Sequence, residues 1–391
     1  MFGAIFVGLS GLNAYQRGLQ QVSNNVSNLN TTGFKGANVS FRNYVGADAR
    51  GVSLTDPGSK DGQGVGLGDV TVNFKQGELR QSDRDLDLAI DGAGFLVLLN
   101  GTERLYARTG SFELDKDGYL VLTGTDYRLA TLDSAGRPVS LSVDSKRTSA
   151  PKATTRIRFA DNLSSSAASY TVSNLTVYDT AGTAHVWQAV FTRDTATPGS
   201  WTVAVSDDKG KAIGSQTLKF SNGNVDPTTR TLDFTDSSTG LTVTLDFSQG
   251  VTSFSAGDVS TLRSAAIDGY GLGAITGVTV NAKGRIELAY SNQQKDELGA
   301  VAIADFRDPQ ALEARSGALY ADAGLAGGEL MTMDDPRAGR VLAKRLEASN
   351  VDLSQQFGDL ILIQRGFQAS SQIVSVANDM IQQLFGIRGQ G

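Results

Sequence analysis

The sequence predicts a mainly β protein with α-helical termini, in which paired N- and C-terminal coiled-coil helices accompany two antiparallel β domains, the outer one inserted in the inner one. Three observations carry that expectation. Apolar residues recur every seven positions at both ends, alternate every two positions through the middle, and are punctuated by 45 glycines spread over 391 residues. That length exceeds what one core usually holds, so more than one β core is expected.

At the N-terminus Ile5, Leu12, Leu19 and Val26 are spaced by seven, and Tyr15, Val22 and Leu29 form a second register three positions later, with Gly8 in its first place. This is the a/d spacing of a coiled coil. At the C-terminus Leu353, Leu360, Phe367, Val374 and Ile381 repeat the spacing, accompanied by Ile363, Ala377 and Leu384, while Gln356 and Ser370 interrupt it. One such stripe alone suits a surface helix on a globular core. Two at opposite ends of a β-rich chain favour pairing with each other or with neighbouring chains.

The first helix is expected to stop among Asn24, Asn25, Asn28, Asn30 and Gly33, residues that accept the left-handed backbone of a helix end. The second is expected to begin near Ser349-Asn350, whose side chains can cap free amides. Gly366, inside it, costs about 1 kcal/mol relative to alanine and so suggests close packing against another backbone.

Between the ends the period is two. Leu86, Leu88 and Ile90 alternate with Asp85, Asp87 and Ala89, and Phe95 to Leu99 reads as a more buried strand. Asp115-Lys116-Asp117-Gly118 has hairpin chemistry between two apolar runs. Further strands are expected at Val172–Tyr178, His185–Thr192, Trp201–Val205, Leu241–Phe247 and Val278–Val280. The stretch Leu141–Thr155, with Pro151, reads as a domain crossing, and Ser260–Gly273 as the return. The expected parts are 1–34 with 346–391 as the terminal helical domain, 35–70 as an extended linker, 71–146 with 270–345 as the inner β domain, and 147–269 as the inserted outer domain.

Composition excludes more than it assigns. A formal charge of −6 offers no basic footprint, so nucleic acid and anionic membrane are poor partners, and no apolar run reaches the roughly 20 residues that span a bilayer. With no cysteine there are no disulfides, thiolate metal sites or cysteine nucleophiles. Residues Met1–Val7 lack the basic start and cleavage site of a secretory signal, which by itself points to the cytoplasm.

The search for chemistry yields no catalytic, cofactor or metal residues. Asp83, Asp85, Asp87 and Asp91 have Leu88 where a calcium loop needs glycine and Gly94 where it needs glutamate, so they read as a solvated strand face. Gly64, Gly66 and Gly68 are followed by a strand rather than a helix, and read as a flexible turn rather than a phosphate loop. The only histidine, His185, has no second metal ligand of its kind and no Gly-x-Ser-x-Gly elbow to serve.

The residues resemble the flagellar rod and hook protein family. Leu9-Ser10-Gly11-Leu12-Asn13-Ala14, with Ser23 to Asn28 and Thr31-Thr32-Gly33-Phe34-Lys35, is similar to its N-terminal signature. Leu346 to Leu353 and Gln364-Arg365-Gly366-Phe367-Gln368-Ala369 are similar to its C-terminal partner. Asp85 to Phe95 and Tyr106 to Phe112 match segments that rods and hooks share, whereas Val177 to His185, leading to Phe191 and Trp201, is similar to the outer domain of hooks alone. Gln355-Gln356 and Asp308-Pro309-Gln310-Ala311-Leu312 depart from the family pattern.

The resemblance implies a non-enzymatic hook subunit, polymerising into a curved tube that joins rod to filament, with a distal rod subunit as the alternative. It implies no cofactor and no membrane insertion. The implied partners are other copies of the chain, the distal rod protein, the hook cap and hook-filament junction proteins, and the flagellar type III export apparatus. The implied location is extracellular, reached without a cleaved signal peptide. An extracellular β-rich hydrolase and a surface adhesin are the rivals from other classes.

Overall fold

A computed structural model of the chain describes residues 2–45, 62–337 and 339–388. It is mainly β, with one long helix near each end: α1, Phe2–Ser27, and α2, Leu353–Arg388. The chain divides into two units. The first comprises Met1–Asp144, Val278–Glu287 and Glu297–Gly391; the second comprises Ser145–Gly277 and Leu288–Asp296. The units divide at 144/145, within the stretch read as the crossing, and at 277/278, beyond the Ser260–Gly273 stretch read as the return, and the assignment of Leu288–Asp296 to the second unit had no marker in the sequence.

α1 ends where the asparagines and Gly33 predict. Asn28 donates its amide to Asn24 O, and Gly33 follows at φ 72°, a conformation open to glycine. The start of α2 differs from expectation. Its cap is Asp352, whose carboxylate accepts from Ser354 N at 2.8 Å and Gln355 N at 3.2 Å. Asn350 is committed elsewhere: its Nδ2 donates to Asn73 O at 2.6 Å and Lys75 O at 2.8 Å, and its Oδ1 accepts from Gly36 N. A shorter reach to the first turn, together with a negative charge at a helix N-terminus, favours the aspartate.

The segment 35–70, expected as an extended linker, carries two paired strands, β1 (Ala37–Val45) and β2 (Gly62–Val72). Gly64 is not in a turn. It lies in β2 at φ 107°, against Ser10 and Val7 of α1, where any Cβ would collide. Its lack of a side chain lets the strand lie on the helix, and Val65 N donates to Ser10 Oγ at 3.1 Å.

The body of the first unit is a twelve-stranded sheet whose main path runs 313–315, 319–321, 103–107, 95–100, 128–132, 120–122, 109–114, 87–91, 340–343. The predicted hairpin closes at Asp115, whose Oδ1 accepts from Asp117 N at 2.9 Å and Tyr119 N at 2.7 Å. Edge-to-face rings of Phe95, Tyr106, Phe306 and Tyr320 fill its core. The aspartates before this core differ in part from the predicted solvated face. Asp83, Asp85 and Asp91 are exposed, but Asp87 is buried, accepting from the hydroxyls of Ser82 and Ser111. The strand 87–91 is covered on both faces, so its alternation does not report exposure.

The second unit is a ten-stranded sheet around Trp187, Trp201, Phe159, Phe191 and Phe247. All of the strands predicted for it are present. Its pairing is antiparallel except at 156–162, which runs parallel to 241–246 and 251–252. His185 lies on strand 184–193 with Nε2 3.1 Å from Asp179 Oδ2, and Asp179 also accepts from the amides of Ala181 and Thr183. The histidine therefore buttresses a turn.

Candidate functional site

The functional candidate is the pair of terminal helices with the clasp at their base, all within the first unit. Glycine dictates how the helices meet. A Cβ at Gly8 would lie 2.7 Å from Val374 Cγ2 and 3.2 Å from Ser370 O, and one at Gly11 would lie 2.5 Å from Ser370 Oγ. Tyr15 lays its ring over Gly366, and Gly18 faces Ile363. Further down, Asn25 Nδ2 donates to Gln356 Oε1 at 2.9 Å. The partners descend along α2 as they ascend along α1, so the helices are antiparallel and close enough that small residues are required between them.

The buried face of α1 is therefore Gly8, Gly11, Ala14, Gly18, Val22 and Asn25, with Tyr15 half-buried. Val22 and Tyr15, from the second predicted register, are in this seam, and Leu29 is half-buried just past the helix end. Ile5, Leu12 and Val26 are half-buried and Leu19 is 37% exposed. On α2, Ile363 and Ala377 are buried; Leu360, Val374 and Ile381 are half-buried; Leu353 and Phe367 are 37% and 42% exposed. The Leu384 side chain lies outside the described residues. Gln356 and Ser370, which interrupt the apolar pattern, are both buried at the seam.

A polar knot fixes the seam at its base. Asn25 bonds Gln356, donates to Ala37 O at 2.9 Å and accepts from Ala37 N at 3.1 Å, so one amide ties α1, α2 and β1 together. Beneath it sits a clasp of three charges. Lys35 Nζ is 2.5 Å from Glu347 Oε1, both side chains fully buried, and Arg108 Nε is 3.4 Å from Glu347 Oε2. Lys35 also donates to Lys75 O, Gly77 N donates to Glu347 Oε1, and Arg108 donates to the carbonyls of Gly92 and Gly94.

Burial pulls the Lys35 ammonium and the Arg108 guanidinium below their ordinary ranges, and Glu347 partly restores both. Tyr320, packed against this group, is pushed up to about 12 by burial, with the Glu347 charge adding to the rise. Lys35 stands just after α1 and Glu347 just before α2, so the clasp holds both ends of the chain to the β body. Periodicity gave no hint of Lys35, Arg108, Glu347, Asn25 or Gln356. The available signal was a charge embedded in an apolar run, as in Phe34-Lys35-Gly36-Ala37 and Tyr106-Ala107-Arg108.

Gln310, at one departure from the family pattern, clamps the end of β2. Its Nε2 donates to Val72 O at 2.7 Å and its Oε1 accepts from Val72 N at 3.0 Å. Among the described residues no group of three or more His, Asp or Glu could hold a metal, and no helix is long and apolar enough to cross a membrane.

Uncovered apolar side chains remain on both helices. On α2, Leu362, Ile373, Val376 and Met380 are 69%, 45%, 57% and 51% exposed, and with the exposed Ala369 they follow a second seven-residue spacing. Phe6 and Phe385 are each 70% exposed.

Three family models match the chain. The flagella basal body rod protein model covers residues 5–35, the flagellar basal body protein FlaE D2 domain covers 142–270, and the flagellar basal body rod FlgEFG protein C-terminal model covers 342–387. The first and last fall on α1 and α2. The flagellar hook protein FlgE of Borreliella burgdorferi is 27% identical over 449 residues, covering 99% of this chain and 100% of that protein. The Treponema pallidum hook protein is 26% identical with the same coverage, and that of Salmonella typhimurium 28%, covering 97% and 98%. A crystal structure of Helicobacter pylori flagellar hook protein FlgE2 overlaps 67% of this chain at 14% identity and a TM-score of 0.47, too distant to add weight. With both helices and the segment between them matched in order, and with hook proteins aligned from end to end, the chain belongs to the flagellar hook protein family: a structural, non-enzymatic component of a homopolymer in the flagellum outside the cell.

Proposed function

We propose that the faces of α1 and α2 left uncovered within one copy are where copies join into the hook tube. The observation that carries this is the second stripe on α2. Leu362, Ala369 and Val376, with Ile373 and Met380, repeat at coiled-coil spacing on a side that α1 does not cover. A seven-residue apolar stripe fits another helix better than it fits a flat surface or solvent. The positions Ile5, Leu12, Leu19, Leu353, Leu360 and Phe367 flank the intrachain seam and belong to the same set of assembly contacts.

The terminal parts, 1–34 and 346–391, form the wall of the tube in this reading, and the β domains at 71–146 with 270–345 and at 147–269 project from it. Non-closing heterologous contacts generate open helical assemblies of this kind. The partners at the two ends of the tube are the distal rod protein below and the cap and junction proteins above. Export runs through the flagellar type III apparatus, with the helices unpaired in transit, because a narrow stripe gains little until a partner covers it.

Val376→Asp tests the assembly surface. Purified wild-type chain is expected to form sedimentable tubes, and the variant to remain in the supernatant at tenfold higher concentration. Both tryptophans of the chain, Trp187 and Trp201, lie in the second unit and are 1% exposed, so an unchanged fluorescence melt shows that the variant is folded there. Tubes of normal yield from Val376→Asp would contradict the assignment.

A further inference from the structure

A cleft of about 240 Å³ opens where β1 meets the base of the helix pair, floored by Val22 and Ile363 and walled by Val39, Phe41 and Leu362. Its floor belongs to the α1–α2 seam, and Leu362 begins the uncovered stripe of α2, so the cleft is continuous with the assembly surface described above. Apolar cavities of roughly 150 Å³ accept a benzene ring, so this one has room for a phenyl group. No side chain of the first unit's described residues occupies that space, although it is lined chiefly by aliphatic and aromatic carbon.

The opposite end of the helix pair offers a matching knob. Phe385 follows Ile381 by four residues, so it continues the seam-facing stripe of α2. Gly8 already faces Val374, which places Phe385 about a turn past the stretch that α1 covers, and it is 70% exposed.

We propose that Phe385 of one copy inserts into the Val22–Val39–Phe41–Leu362–Ile363 cleft of the next copy, as a head-to-tail contact along the tube. The inference rests on the assembly reading above and adds the direction of one contact. Knob and socket lie at opposite ends of the same element, so copies can add head to tail, and repetition of the contact in one direction gives an open chain of copies; the ladder from the double variant distinguishes this from a reciprocal two-fold dimer. A single aromatic anchor in an apolar pocket is the usual form of an energetic hot spot. The cleft rim is polar, with Asn38, Gln355 and Asp359, as the surroundings of such anchors generally are.

The chain has no cysteine, which makes cross-linking clean. Val39→Cys copies mixed with Phe385→Cys copies, assembled into tubes and oxidised, are expected to give a covalent dimer on a non-reducing gel. The double variant is expected to give a ladder. Phe385→Ala should raise the critical concentration for assembly about tenfold or more, and Phe385→Leu by less than about threefold. Phe254→Ala is the control, because Phe254 is likewise an exposed phenylalanine but belongs to the second unit and to neither helix. Tubes without dimer or ladder, or an equal effect of Phe254→Ala, overturn the socket while leaving tube formation intact. Failure of the wild-type chain to form tubes at any concentration overturns the assembly reading, and the socket with it.

Discussion

Glu347 is the residue on which both ends of the chain converge. Its carboxylate stands against Lys35 and Arg108 and accepts from Gly77 N, and its own amide and carbonyl engage Thr109 Oγ1 and Gly33 N. A buried ion group of this kind gives little net stability compared with apolar packing, but removing one member strands the others, at a cost of about 3–5 kcal/mol. Glu347→Gln is therefore expected to lower the calorimetric transition of the first unit by several degrees and leave the tryptophan melt of the second unchanged. A shift equivalent to less than about 1 kcal/mol would show that the clasp is not what holds the ends. Tyr320 supplies a pH signature. Its folded pKa of about 12 lies above the unfolded value of roughly 10, so its neutral form contributes stability that is fully present below pH 10 and lost from pH 10 to 12. Lys35 and Arg108, held low by burial, act with the opposite sign, so the readout is the difference made by Tyr320→Phe. Urea melts should lose up to about 1.4 kcal/mol less per pH unit in that window for the variant; identical slopes would place the Tyr320 hydroxyl in water.

At the scale of elements, the helix pair shows what periodicity can and cannot reveal. Two heptad stripes announced that both termini are helical and in need of partners, and the antiparallel strands of the middle were equally legible from alternation. The exact seam was not. Gly11 and Gly18 have no side chain to register in an apolar pattern, so the eye moves to Leu12 and Leu19, one position further on. Asn25, Gln356 and Ser370 were hidden for the opposite reason, since a polar residue reads as an interruption although a buried amide can be fully satisfied across two helices. Close approach makes the glycines indispensable. Gly11→Leu should force α1 off α2 at Ser370, abolishing assembly and exposing α1 to protease within residues 2–27, whereas Gly3→Leu, at a glycine with open space around it, should do neither. Equal protease resistance in the two variants would mean that the helices do not meet at this seam.

Across the whole molecule, the division of labour follows from where the chain places its two kinds of pattern. The stripes that need partners are at the ends, brought to one body by Lys35, Glu347 and the Asn25 knot, while the second unit carries its own core of tryptophan and phenylalanine. A chain built this way can lose its terminal order without losing its outer fold. Limited proteolysis of unassembled subunits is expected to trim α1 and α2 first and to leave a fragment retaining the tryptophan melt; loss of that melt along with the helices would show that the second unit does not stand by its own core. The crossing expected at Leu141–Thr155 and the return at Ser260–Gly273 rest on composition; the units divide at 144/145 and 277/278, and the share of 288–296 in the second unit had no marker, because a strand-turn-strand looks the same in sequence whichever sheet it joins.

The pairing of the two termini is tested most directly by a disulfide across the seam. A Cβ at Gly11 lies 3.3 Å from Ser370 Cβ, close to the roughly 3.5–4.5 Å of a disulfide. In tubes assembled from Gly11→Cys/Ser370→Cys chains, oxidation should give a fast-running monomer band, the mark of an intrachain bond, whereas Gly11→Cys/Ala377→Cys, two turns out of register, should not. No intrachain bond in the first pair, or equal yields in both, would contradict antiparallel pairing of α1 with α2 in this register.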